Sequence, residues 1–210
     1  MTRGARPLVA LTAAVLFSAA TRASAQDSRL AARLDKPTFV AVNAIVDSAR
    51  VAKLPTAPLV DKALEGAAKG SDGAKIVFAV HALSVRMQSS RQVLGTGATQ
   101  DEIKAAATAM DAGVSVRDLA RLRQASGKRP VTMPLAVLAD LIGRDVPIPD
   151  ATNLVLQLAR SRVKDSDLAL FQRNVRADID RGADPTVAAT TRARGLVLRN
   201  GTAPTAKPSL

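Results

Sequence analysis

Cysteine, tryptophan and tyrosine are absent from this 210-residue chain, histidine occurs once, and four phenylalanines are its whole aromatic content. Each absence closes a class of function. Without cysteine there is no disulfide framework and no thiolate chemistry. A zinc site built from Cys and His needs several such ligands, and His81 stands alone. Nucleic-acid modules that stack bases on aromatic rings lack the rings. Intrinsic disorder conflicts with an apolar share of 47% and a mixed charge. A globular chain rich in Ala, Leu, Val and Arg remains.

Its first residues read as an export signal. Arg3 and Arg6 precede an apolar stretch from Pro7 to Ala20, and Thr21-Arg22-Ala23-Ser24-Ala25-Gln26 follows. A cationic start, a short apolar segment and a small-x-small site are the three parts of a secretory signal. Ala23 and Ala25 are the small residues expected to fit the peptidase pocket, with the cut after Ala25. The apolar stretch is shorter than the roughly 20 residues a spanning helix needs, and Arg22 closes it. No Cys follows it for lipidation, and no adjacent Arg pair precedes it, so the general secretion route is expected over the twin-arginine one. No later segment is apolar enough over enough length to span a bilayer. Cleavage would remove three arginines and no acid, lowering the net charge from +12 to +9.

The remainder is expected to be all-α. Strand-favouring aromatics are nearly absent, and apolar residues recur at three and four with stop signals between them. One helix is expected after Pro37, with Phe39, Val42, Ile45, Val46 and Ala49 inward, ending at Pro55. A second from about Pro58 turns Leu59, Ala63, Leu64 and Ala67 inward and stops at Gly70. Asp72 opens a longer one through Ile76, Val80, Leu83 and Met87 to Gly95. Thr99 and Glu102 form a Thr-x-x-Glu capping box for a helix ending at Gly113. Ser115 caps a helix with Leu119 and Leu122 inward and Gly127 beyond. Thr132 precedes a helix with Leu135, Leu138 and Ile142. Another begins near Asp150, and Asp165 caps one carrying Leu168, Phe171, Val175 and Ile179. Asp184-Pro185 opens the last. The expected architecture is an irregular multi-helix bundle or a short, solenoid-like array of helical hairpins. Residues 1–25 form the signal, 26–200 one helical domain, and 201–210, with two prolines and no periodicity, a disordered tail.

A faint repeat supports the array. Met110 to Ser115, Ile142 to Pro147 and Ile179 to Pro185 each end one helix and open another, placing Val114, Val146 and Ala183 in equivalent positions. Lys53-Leu54-Pro55 looks like a degraded copy. Such spacing fits one helical hairpin per unit, although capping alone selects similar residues.

Reactive constellations are hard to find. Ser84 follows His81 by three residues, yet nothing supplies the strained turn and oxyanion hole of a hydrolase. Asp178 to Asp184 resembles a calcium loop but carries Gly182 at the fifth position and Ala189 at the twelfth, where acids are needed. Gly95-Thr96-Gly97 lacks the strand and the Gly-Lys-Ser/Thr of a phosphate-binding loop. Carboxylate pairs for hydrolysis depend on the fold. Thr99 to Gly127 has the rhythm of a helix-turn-helix, with Ser115 capping a helix that would display Arg117, Arg121 and Arg123. An export signal and the same Gly-apolar-cap junction elsewhere weigh against it.

No catalytic residue, cofactor or metal ligand is therefore expected. The expected function is that of an exported, periplasmic or secreted binding module. Its partner would be another envelope protein or an anionic surface, with no specific nucleic acid. Arg192, Arg194, Arg199 and Lys207, which follow the last acid, are the expected contacts. The alternatives are a cytosolic helix-turn-helix DNA-binding protein and a carboxylate-based hydrolase.

Overall fold

The computed structural model describes residues 28–201. The expected signal with Ala23 and Ala25, and residues 202–210 with Lys207, lie outside them. After a helical turn over residues 28–31, nine α-helices follow, and no strand occurs among the described residues. They are α1 (Lys36–Val51), α2 (Ala57–Ala68), α3 (Gly73–Leu94), α4 (Gln100–Asp111), α5 (Val116–Ser126), α6 (Thr132–Ile142), α7 (Ile148–Arg160), α8 (Asp165–Asp180) and α9 (Pro185–Gly201). Among the described residues no helix is long and apolar enough to cross a membrane.

Local chemistry explains the helix starts. Thr99 Oγ1 accepts from Glu102 N at 3.2 Å, and Glu102 Oε2 accepts from Thr99 N at 2.9 Å, completing the expected capping box. Ser115 Oγ accepts from Asp118 N at 3.1 Å and starts α5. Asp184 Oδ1 does the same for Val187 N at 2.9 Å. Two expected starts shift. Asp165 is the first residue of α8, and Lys164 holds the cap position without a side-chain bond. The α7 helix begins at Ile148, because Pro149 fits its first turn where no N–H is needed. The burial stripes also move slightly. Val60 is buried in α2, whereas Leu64 and Ala67 are half-buried.

Helix ends share one device. At Lys53, Gly70, Gly113, Asp145, Arg162 and Gly182 the backbone enters the left-handed region, with φ of 56, 66, 99, 65, 53 and 93°. The next residue's N–H then bonds a carbonyl five residues back. Examples are Leu54 to Ala49 at 2.9 Å, Val114 to Ala109 at 3.0 Å, Val146 to Leu141 at 3.1 Å and Val163 to Leu158 at 3.2 Å. This closure satisfies the helix's orphan carbonyls, and at four of the six turns an apolar residue follows that plugs the core. Leu54, Val114, Val146 and Val163 are all buried. The suspected repeat junctions at Leu54, Val114, Val146 and Ala183 thus have the same hydrogen-bond geometry. Ser71 and Val163 add two more.

The chain divides into two compact units, with the boundary after Ala82 inside α3. In the first, Val42, Val46 and Ala49 of α1, Leu59, Val60 and Ala63 of α2, and Ile76 and Val80 of α3 are buried. Close backbone approach requires glycine here. A Cβ on Gly73 would stand 2.0 Å from Thr38 Oγ1.

In the second unit α4 packs on α6 and α6 on α8, while α5 packs on α7 and α7 on α9. Each helix therefore leans on the helix two places along, and α6·α7 and α8·α9 join the two rows. That is the stacking of a short helical array. Leu119, Leu122, Leu135, Leu138, Leu141, Leu158 and Phe171 belong to its buried core. Each such side chain contributes about 1.5–3 kcal/mol on burial.

Candidate functional site

The segment between α5 and α6 is short, cationic and firmly held. Gly127 leaves α5 with φ 61°, and Lys128, Arg129 and Pro130 lead to Val131, whose carbonyl opens α6. Glu102, buried on α4, reaches this segment from 29 residues upstream. Its Oε1 accepts from Val131 N at 3.0 Å and from Arg123 Nη1 at 3.3 Å. Arg123 Nη2 in turn donates to the carbonyls of Gly127 and Arg129. Burial alone would raise the Glu102 pKa, but the N–H groups of Thr99 and Val131 and the charge of Arg123 together hold it below the ordinary value.

From the other side comes the α7–α8 turn. Arg160 ends α7, Arg162 takes the left-handed position, buried Val163 anchors the turn, and Lys164 sits at the uncapped start of α8. Arg129 Nη2 donates to the Ala159 carbonyl, so the two segments are tied together. Between them lies a cavity of about 360 Å³. Arg129, Arg162 and Lys164 line it, with Ser126, Asp165 and an apolar floor that includes Pro134, Val163 and Leu168. Lys128 and Arg160 are the chain neighbours of lining residues. Among the described residues none of these five cations pairs with a carboxylate.

The expected C-terminal contacts lie elsewhere. Arg192 and Arg199, seven residues apart on α9, line a groove of about 600 Å³ between α8 and α9. Arg194 is exposed but is not among the groove's lining residues. Asp178 holds Arg192 in a two-pronged pair, with Nε–Oδ2 2.6 Å and Nη2–Oδ1 2.9 Å, and also takes Arg181 at 2.5 Å. The Arg192 bond keeps the Asp178 carboxyl below its ordinary value and raises the guanidinium of Arg192. Much of that groove's positive charge is thereby answered from within the protein.

The remaining candidates separate. His81 is exposed and Ser84 buried on α3, so the Ser–His pair faces different surroundings. Of the three arginines expected to line a recognition helix, Arg123 is turned inward onto Glu102 and Arg121 pairs with Asp118 at 3.0 Å. Only Arg117 and Arg121 are exposed. No cluster of three or more His, Cys, Asp or Glu that could hold a metal occurs among the described residues. No family model, curated protein or solved structure matches this chain. The junction cavity escaped sequence reasoning, although Lys128-Arg129-Pro130 and Arg160-Ser161-Arg162-Val163-Lys164 were visible as two basic runs. Their meeting depends on contacts some thirty residues apart, such as that of Arg129 with Ala159.

Proposed function

We propose that this chain is an exported, non-catalytic binding protein that engages an anionic lipid surface through the α5–α6 and α7–α8 segments. One observation carries the reading. Three cations without carboxylate partners among the described residues, Arg129, Arg162 and Lys164, line one cavity with a single acid, Asp165, whereas in the groove on α9 Arg192 is paired with Asp178. Such charge attracts anions, and the attraction adds to that of the whole chain, whose net charge of +12 falls to +9 once the three arginines of the signal are removed. The apolar floor beside the cations suits the boundary between headgroup and acyl chain. An exported protein also meets membrane on leaving the cytosol.

Vesicle co-sedimentation tests it. The chain lacking residues 1–25 should pellet with phosphatidylglycerol vesicles and not with phosphatidylcholine vesicles. Added salt should release it, because surface attraction is screened within a Debye length of about 10 Å at moderate ionic strength. Equal binding to both lipids, or none to either, would refute the proposal.

A further inference from the structure

We infer that the cavity between the α5–α6 and α7–α8 segments is a discrete phosphate site. The inference deepens the lipid-surface reading and rests on it for the source of the phosphate, but not for the site itself. Four features converge. Arg129, Arg162 and Lys164 line the cavity. The first turn of α8 opens onto it, and its cap residue Lys164 supplies no side-chain acceptor, so the positive end of the helix is answered only by the charges of Asp165 and Asp167 in its own first turn. Ser126 lines it from the last residue of α5, and its buried hydroxyl has no hydrogen-bond partner among the described residues. A buried hydroxyl without a partner is unfavourable; it has almost no accessible surface, so a small shift of the cavity wall accompanies any bond from it to a phosphate oxygen. Finally, Arg129 is anchored by its bond to Ala159 and by the Arg123 bond to its carbonyl, so one wall is set before a ligand arrives.

Asp165 also lines the cavity and opposes an anion. It sits at the first residue of α8, where a carboxylate partly answers the helix end. Its charge therefore competes with phosphate for the same pole. This gives the proposal a distinctive sign: removing that acid should tighten binding, and removing either neighbouring cation should loosen it.

The variants keep the fold. Arg162 occupies a left-handed position with φ 53°, where glycine is the favoured residue, so Arg162→Gly removes a cation without backbone penalty. Lys164 is exposed and caps nothing, so Lys164→Gln is a surface change. Inorganic phosphate is titrated into the chain lacking residues 1–25 and followed by amide NMR, with chloride at matched ionic strength as control. Phosphate should shift the amides of Ser126 and of Lys164 to Asp167 saturably. Affinity should fall about tenfold in Arg162→Gly and in Lys164→Gln, and rise several-fold in Asp165→Asn, in line with charge-assisted hydrogen bonds. Equal shifts with chloride, or an Asp165→Asn variant no tighter than the parent, would overturn the phosphate site. Vesicle binding that survives while these amides stay still would overturn the site and leave the lipid proposal standing. Saturable phosphate shifts without vesicle binding would support the site, with free phosphate as its source, and end the lipid reading.

Discussion

Replacing Glu102 tests the brace that holds the α5–α6 segment. Its carboxylate accepts from Thr99 N, Val131 N and Arg123 Nη1 at 2.9, 3.0 and 3.3 Å, and the side chain is 7% exposed. Glu102→Ala leaves the buried Val131 N–H without a partner, which costs about 1–3 kcal/mol. Loss of the capping-box contact adds roughly 0.5–2 kcal/mol. The partly exposed Arg123 keeps its two carbonyl acceptors, so the lost ion pair adds at most about 1 kcal/mol. The expected destabilisation is about 1.5–6 kcal/mol, or a drop in Tm on the order of 10 °C for a chain of this size. Glu102→Gln keeps one acceptor oxygen and should cost about 1–2 kcal/mol. The pH dependence separates charge from packing. Glu102 is held below the ordinary glutamate pKa, so its charged form stabilises the fold at neutral pH. That contribution is lost as pH falls through the lowered folded value. The gap between wild type and Glu102→Gln should therefore close in acid, while Glu102→Ala stays weaker. Urea unfolding followed by far-UV circular dichroism across acidic to neutral pH measures all three proteins. A Glu102→Ala variant within about 0.5 kcal/mol of wild type at neutral pH, the usual range for an indifferent surface change, would refute the brace.

Two glycine substitutions should act in opposite directions. Gly113 has φ 99°, and a Cβ there would lie 2.7 Å from Ile148 Cδ1, so Gly113→Ala should lower stability by about 1–3 kcal/mol in the same urea assay. Gly195 lies within α9 with nothing within 4 Å of an added Cβ, so Gly195→Ala should raise stability by about 0.5–1 kcal/mol. Asp178→Asn should free Arg192 and make binding to phosphatidylglycerol vesicles tighter and more salt-sensitive, as vesicle titration at two ionic strengths would register.

Local features were legible in the sequence and distant ones were not. The Thr99–Glu102 box, the Ser115 cap and the stops at Gly113 and Gly182 all act within a few residues, and each appears at its expected place. The left-handed turn at Arg162 was invisible because no glycine marks it. There the buried Val163 and its bond to Leu158 hold an arginine in a conformation that glycine usually takes. The sequence points to Asp165 as a cap because acids favour helix starts, but that preference extends over the whole first turn, and Asp165 is its first residue. The same limit hid both electrostatic outcomes. Glu102 reaches Val131 and Asp178 reaches Arg192 only once the helices are stacked.

Because the packing of the second unit runs mainly between helices two places apart, with α6·α7 and α8·α9 joining the rows, damage at one point has few routes to the rest. A substitution near Glu102 meets α4, α5 and α6 directly, while α9 feels it only through intervening layers. The array is thus buffered in the manner of a stack of plates. It can absorb drift in one layer's sequence while the geometry of a remote layer, and any surface built there, is left in register.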